Sequence, residues 1–256
     1  DPILVEGGGA GTEQDQERPV SARMEDRSAL QKPKRVRSPL GSIPADFATF
    51  IQSDPFPCVG AKSALALDSL IVAEAGDFAS DDHDAEIHRA LARFGKWMAS
   101  GKGALGSFAC LFRHGPRLSE DEFEAALWAR AQGLHDIDAA SGAHWADGVS
   151  REPESPDFSF SVDGVAYFVV GLHPGASRAA RRFCRPALIF NPHAQFERLR
   201  ADGRYFTMQS IIREREIARH GSINPMLSDF GSGREAAQYS GRQVGNSWTC
   251  PLKVKT

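Results

Sequence analysis

No run of apolar residues in the chain approaches the roughly 20 that a bilayer-crossing helix needs, so no transmembrane helix is read from it. An excess of charge is missing too. The net charge is −3, and no global field directs the chain to nucleic acid or to an anionic membrane surface. Cysteine is scarce: Cys58, Cys110, Cys184 and Cys250 each lie more than about 50 residues from the next, and no C-x-x-C or C-x-x-H pair occurs. That spacing speaks against a structural zinc site. An even count permits two disulfides, but the N-terminus shows no basic-apolar-small secretory pattern, so free thiols and a cytoplasmic location are expected. A glycine-rich phosphate loop of the G-x-x-x-x-G-K type and internal repeats are absent as well.

What is present reads as an ordinary globular composition, 41% hydrophobic and 25% charged, over 256 residues. Residues 1–43 are polar, Gly-rich and then basic, and are expected to be a flexible tail; its "KPKRVR" run reads as solvated linker. From residue 44 the pattern becomes periodic. "PADFATFIQ" spaces Phe47, Phe50 and Ile51 for a helix that the Pro-rich "SDPFPCVG" stops. A short β-like run follows at Leu70–Val72. Ile87, Leu91, Phe94 and Met98 then mark one face of an amphipathic helix. "GSFACLF" reads as a buried strand. Ser119 and Glu122 have capping-box spacing ahead of a helix carrying Phe123, Leu127 and Leu134 inward. "DFSFSVDGVAYFVVGL" is a hairpin about an Asp163-Gly164 turn.

"HPGASRAARRF" predicts a short helix and "PALIF" a strand. Asn191 and Pro192 suit the N-cap and first position of the next helix. A further helix closes at Gly221, and an irregular segment with embedded aromatics packs over something. The expectation is one α+β domain with a mainly antiparallel central sheet of four to six strands flanked by helices.

Four groups carry candidate chemistry. His173 falls at a strand end and is followed by Arg178, Arg181 and Arg182 at spacing that puts all three on one helical face. A histidine beside a forked cationic face suits a ligand with a reactive centre and attached carboxylates, haem among them; a capping histidine and a solvated arginine face explain the same pattern. In "PFPCVG", backbone amides beside Cys58 could stabilise a thiolate, which as a haem ligand favours O–O cleavage; a small buried hydrophobe is the alternative. His193 and Glu197 stand at i, i+4 and could share a proton or a metal, or be structural. Glu214, Glu216 and Asp229 are the carboxylates available to a cationic substrate.

Together "PFPCVGAKSA" (55–64), "GLHPGASRAARRF" (171–183), "FNPHAQFERLR" (190–200), "IREREIARHGSINPMLSDFG" (212–231), "QYSGR" (238–242) and "CPL" (250–252) resemble the YqcI/YcgG family of FPC/CPF motif-containing proteins, over most of 44–252. Leu252 stands where the family motif has Phe. The resemblance implies a haem-binding catalytic domain over residues 44–256. It would hold haem b and N-hydroxylate a guanidine, arginine or an arginine-derived compound, with an electron donor and oxygen or with a peroxide, in natural-product biosynthesis. It implies Cys58 or His173 as the iron ligand, and Cys58, His173 and His193 as catalytic residues. Lys62, His173, Arg178, Arg181 and Arg182 would bind the cofactor, and Glu214, Glu216 and Asp229 the substrate. A haem-binding sensor or carrier without turnover is the alternative, and a homodimer is left open.

Overall fold

The computed structural model describes residues 42–101 and 105–255. The expected tail, but for its last two residues, lies outside the described residues. The chain order is α1 (Ala45–Gln52), α2 (Val59–Ala66), β1 (Leu70–Glu74), α3 (Asp84–Ala99), β2 (Ser107–Leu111), α4 (Glu120–Ser141), β3 (Phe160–Val162), β4 (Val165–Leu172), β5 (Ala187–Pro192), α5 (His193–Ala201) and α6 (Tyr205–His220), with 3₁₀ turns at Ala179–Arg181 and Ala236–Gln238. Residues 222–255 are otherwise irregular.

One five-stranded sheet runs β1-β2-β5-β4-β3. The β1–β2 pair is parallel, with α3 as the crossover between them, and the remaining pairs are antiparallel. The described residues thus form the expected α+β domain with a mostly antiparallel sheet. Asp163 and Gly164 both take positive φ, as a type I′ hairpin turn requires. Ser119 and Glu122 make the reciprocal capping box of α4. Among the described residues no helix is long and apolar enough to cross a membrane.

Strand side chains alternate between the two faces of the sheet. Phe108 and Cys110 of β2, Tyr167 and Val169 of β4, and Leu188 and Phe190 of β5 face α3 and α4 in the larger core cluster. Gly171 lies on the same face of β4, where an added Cβ would come within 2.6 Å of the Phe123 ring, so the α4–sheet approach needs glycine there. The opposite residues, such as Ala109, Leu111, Leu172 and Ala187, join Phe47, Ile51, Phe56 and Phe183 in a second cluster.

Two local expectations are corrected. The segment after His173 is a three-residue 3₁₀ turn and not a helix; Arg178 precedes it in extended conformation, so Arg178, Arg181 and Arg182 do not share a helical face. Pro174 and Gly175 ahead of it and Pro186 soon after leave too little chain for an α-helix. Asn191 and Pro192 complete β5, and α5 begins one residue later than its cap signals suggest, at His193.

Candidate functional site

The second face of the sheet is only partly covered. Between it and α1, α2, α5, α6 and the segment 223–238 lies a cavity of about 330 Å³. Its floor is Phe168, Val170 and Leu172 of β4 with Ile189 and Asn191 of β5; Met208, Ile212 and Phe230 close it from the other side. Mostly apolar walls with a few convergent polar groups are the usual make-up of a small-molecule site.

Cys58 lines this cavity as the N-cap of α2, its Sγ accepting the Ala61 N–H at 3.3 Å. Burial pushes its thiol up, against the opposing pull of the Ala61 and Gly60 amides and of Arg215. His193 also lines the cavity, on the first turn of α5, with its ring edge-on to Phe230 at 4.2 Å. Its Nε2 is buried and has no hydrogen-bond partner. Burial holds the imidazole below its ordinary pKa, outweighing Glu197, so the ring is neutral and keeps a lone pair. Glu197 pairs with Arg200 at 2.5 Å.

His173 does not line the cavity. It follows Leu172, which does, and the period of two turns it to the other face. There it is 1% exposed, stacked on Phe123 with ring centroids 4.1 Å apart, and burial takes its pKa down to about 4. The anticipated pairing of His173 with an arginine clamp is therefore not formed. Arg178 does line the cavity, but it is committed to Glu216 at 2.7 Å and to the Ser222 carbonyl at 2.8 Å. Arg181 donates to the carbonyls of Gly171, Tyr239 and Gln238 at 3.2, 2.8 and 2.9 Å. Arg182 is exposed and donates to the Ala176 and Ser177 carbonyls, and Lys62 reaches the Ser53 carbonyl at 3.4 Å; neither lines the cavity.

Of the proposed substrate carboxylates, Glu214 is exposed and outside the cavity. Glu216 lines it but is neutralised by Arg178. Asp229 lines it and accepts from Tyr205 and Gln209 at 2.9 and 2.8 Å.

Two groups in the cavity escaped the reading of the sequence. Arg213 lines it from α6 with no ion pair among the described residues. Glu235 lines it from just before the second 3₁₀ turn, accepting the Tyr239 hydroxyl at 2.6 Å. Burial pushes its carboxyl up to about 7. The i, i+4 spacing of Glu235 and Tyr239 in "REAAQYS" was the available signal, hidden in a segment without periodicity. Outside the cavity, Asp46, His114 and Cys184 offer donor atoms within 4.8 Å of one another, but the Asp46 carboxylate is already held by Arg185 at 3.1 Å. All four cysteines are free thiols.

The fold is that of an α+β protein with a mostly apolar cavity on one face of its sheet. The family model of the YqcI/YcgG family matches residues 47–253, and the chain belongs to that family. It is similar to the uncharacterised proteins YcgG and YqcI of Bacillus subtilis (strain 168). With YcgG it is 29% identical over 198 residues, 73% of this chain and 76% of the relative. With YqcI it is 29% identical over 217 residues, 80% of this chain and 83% of the relative. No solved structure matches.

Proposed function

We propose that the cavity holds haem b and that the protein is a haem-dependent monooxygenase that N-hydroxylates a guanidine group. The observation that carries this reading is the buried, unpartnered Nε2 of His193 in a mostly apolar cavity. A neutral imidazole lone pair deprived of any donor is the state that suits an iron ligand. Cys58 is the second candidate; its burial favours the thiol over the thiolate despite the pull of Arg215, and we rank it behind His193. The clamp for the two haem carboxylates moves from Arg178, Arg181 and Arg182 to Arg213 and Arg200, the first of which has no competing ion pair.

Bound haem would supply the activation of oxygen or peroxide. The chain's own residues supply the rest. The apolar walls exclude water, and a cavity carboxylate aims one guanidine nitrogen at the reacting oxygen. One oxygen atom enters the N–H bond; when dioxygen is the oxidant the other leaves as water, with two electrons and two protons from an external donor.

The test is the absorbance spectrum of protein produced with ample haem supply. A Soret band is expected, lost or shifted in His193→Ala and kept in His173→Ala and Cys58→Ala. A colourless protein that takes up no hemin sinks the reading. Incubation with guanidines, reductant and oxygen or with peroxide, followed by a search for a one-oxygen mass gain, separates the enzyme from a haem sensor or carrier.

A further inference from the structure

Five carboxylates among the described residues are buried: Asp84, Glu124, Asp138, Glu216 and Glu235. Four of them have a basic partner. Asp84 faces Arg130 at 3.4 Å, Asp138 meets His88 at 2.5 Å, Glu216 holds Arg178 at 2.7 Å, and Glu124 is bonded by Arg242. Burying a carboxylate without a counter-charge is costly, which is why buried acids come paired. Glu235 is the exception. It is 3% exposed, its hydrogen-bonding partner is the neutral hydroxyl of Tyr239, and it makes no ion pair among the described residues. It is also one of the residues that line the cavity.

A buried acid that lacks its counter-charge, and opens onto a cavity of ligand size, lacks something the cavity's occupant can bring. We propose that Glu235 is the cation-recognition residue of this site, and that the cavity takes a small organic cation whose N–H groups bond to the Glu235 carboxylate. The Tyr239 hydroxyl occupies one lone pair of Oε1 and fixes the carboxylate plane, leaving the remaining lone pairs for the ligand. Arg178 stands at the same cavity with its charge already cancelled by Glu216, so it does not repel a second cation there.

Within the reading of the site as a guanidine N-hydroxylase, on which the choice of a guanidinium rests, the assignment moves substrate recognition to Glu235. The candidates legible in the sequence were Glu214, Glu216 and Asp229. One of these is exposed, one is neutralised, and Asp229 already accepts two hydrogen bonds. Cation binding at Glu235 needs no haem, so the two ideas fail separately.

The experiment is calorimetric titration of the protein as purified with arginine, agmatine, a primary alkylamine, a quaternary ammonium compound and a neutral urea isostere of arginine. The expected result is binding of the N–H-bearing cations, weaker or no binding of the quaternary ammonium and the urea, and a roughly tenfold to hundredfold loss in Glu235→Gln. Glu235→Asp, which keeps the charge but shortens the arm, should fall between. Thermal melts accompany each variant, because a fold defect would appear as a lowered melting temperature. Equal affinity of wild type and a folded Glu235→Gln overturns the proposal, as does a urea that binds as tightly as its cation or a wild type that takes up none of the cations. A colourless protein with Glu235-dependent binding would sink the haem reading and keep this one; a haem protein indifferent to Glu235→Gln would do the reverse.

Discussion

On the α3–α4 side of the sheet, Phe108, Tyr167 and Phe190 are buried with helix side chains in the larger core cluster. On the other side, Phe168, Val170 and Ile189 look into open space of about 330 Å³. The same strands build both faces, and alternate residues of one strand serve opposite ends. The filled face gathers the dispersion and burial that hold the fold. The open face sets its polar groups beside ligand-sized space: the orphaned His193 nitrogen, the Glu235 carboxylate without a cationic partner and the Cys58 thiol all line the cavity.

The contrast can be tested from its strongest point downward. Phe123→Ala removes a fully buried ring that touches Phe78 and His173, and should cost about 3–5 kcal/mol by urea unfolding. Phe196→Ala in the half-exposed cavity wall should cost only about 1 kcal/mol. Similar losses for the two would erase the distinction between the faces. Next comes Glu216→Ala, which leaves Arg178 buried without its counter-charge; about 3 kcal/mol is expected, which would show that the open face has one rigid clasp of its own.

Glu235→Gln should have the opposite sign. The folded chain raises this carboxyl to about 7 from an ordinary 4.5, so its favourable protonated state is fully present below 4.5 and is lost as pH rises through 7. The variant should therefore match wild type in stability near pH 4 and exceed it by on the order of 2 kcal/mol at pH 8 in the absence of ligand. Melts at both pH values check this, and a variant less stable at pH 8 would contradict the unpaired state of the carboxylate. The smallest effect belongs to Phe206, 66% exposed on α6, whose change to Ser should stay within about 0.5 kcal/mol.

Much of the filled face was legible because it rests on periodicity. Ile87, Leu91, Phe94 and Met98 declared the buried stripe of α3, and Ser119 with Glu122 its neighbour's start. The Asp163-Gly164 pair declared the hairpin. The open face was harder to read. Whether His173 points into the site or away from it depends on the register of β4 against its neighbours, and a single residue of shift reverses the answer. The helix anticipated after His173 failed because prolines on either side limit its length, which spacing among arginines does not reveal. Cys58 and His193 could be named as candidates but not placed in one cavity, since their meeting depends on the order of strands. Glu235 sits where no pattern repeats, and its distinction, the lack of a partner, exists only once every other buried acid has been matched.

Tyr239 belongs to the filled face: it is 1% exposed, stacks on Trp128 at 5.6 Å, and its hydroxyl accepts the Phe160 N–H. Yet the same hydroxyl holds the Glu235 carboxylate at the cavity. The charge that the pocket reads is thus anchored in the part of the molecule least able to change, whereas the dimensions of the pocket are set by α6 and the 223–230 segment, where Ile223 and Leu227 remain exposed. In an engineering campaign, ligand size should be easy to alter by substitution along that wall, and ligand charge should resist everything short of replacing Glu235 itself.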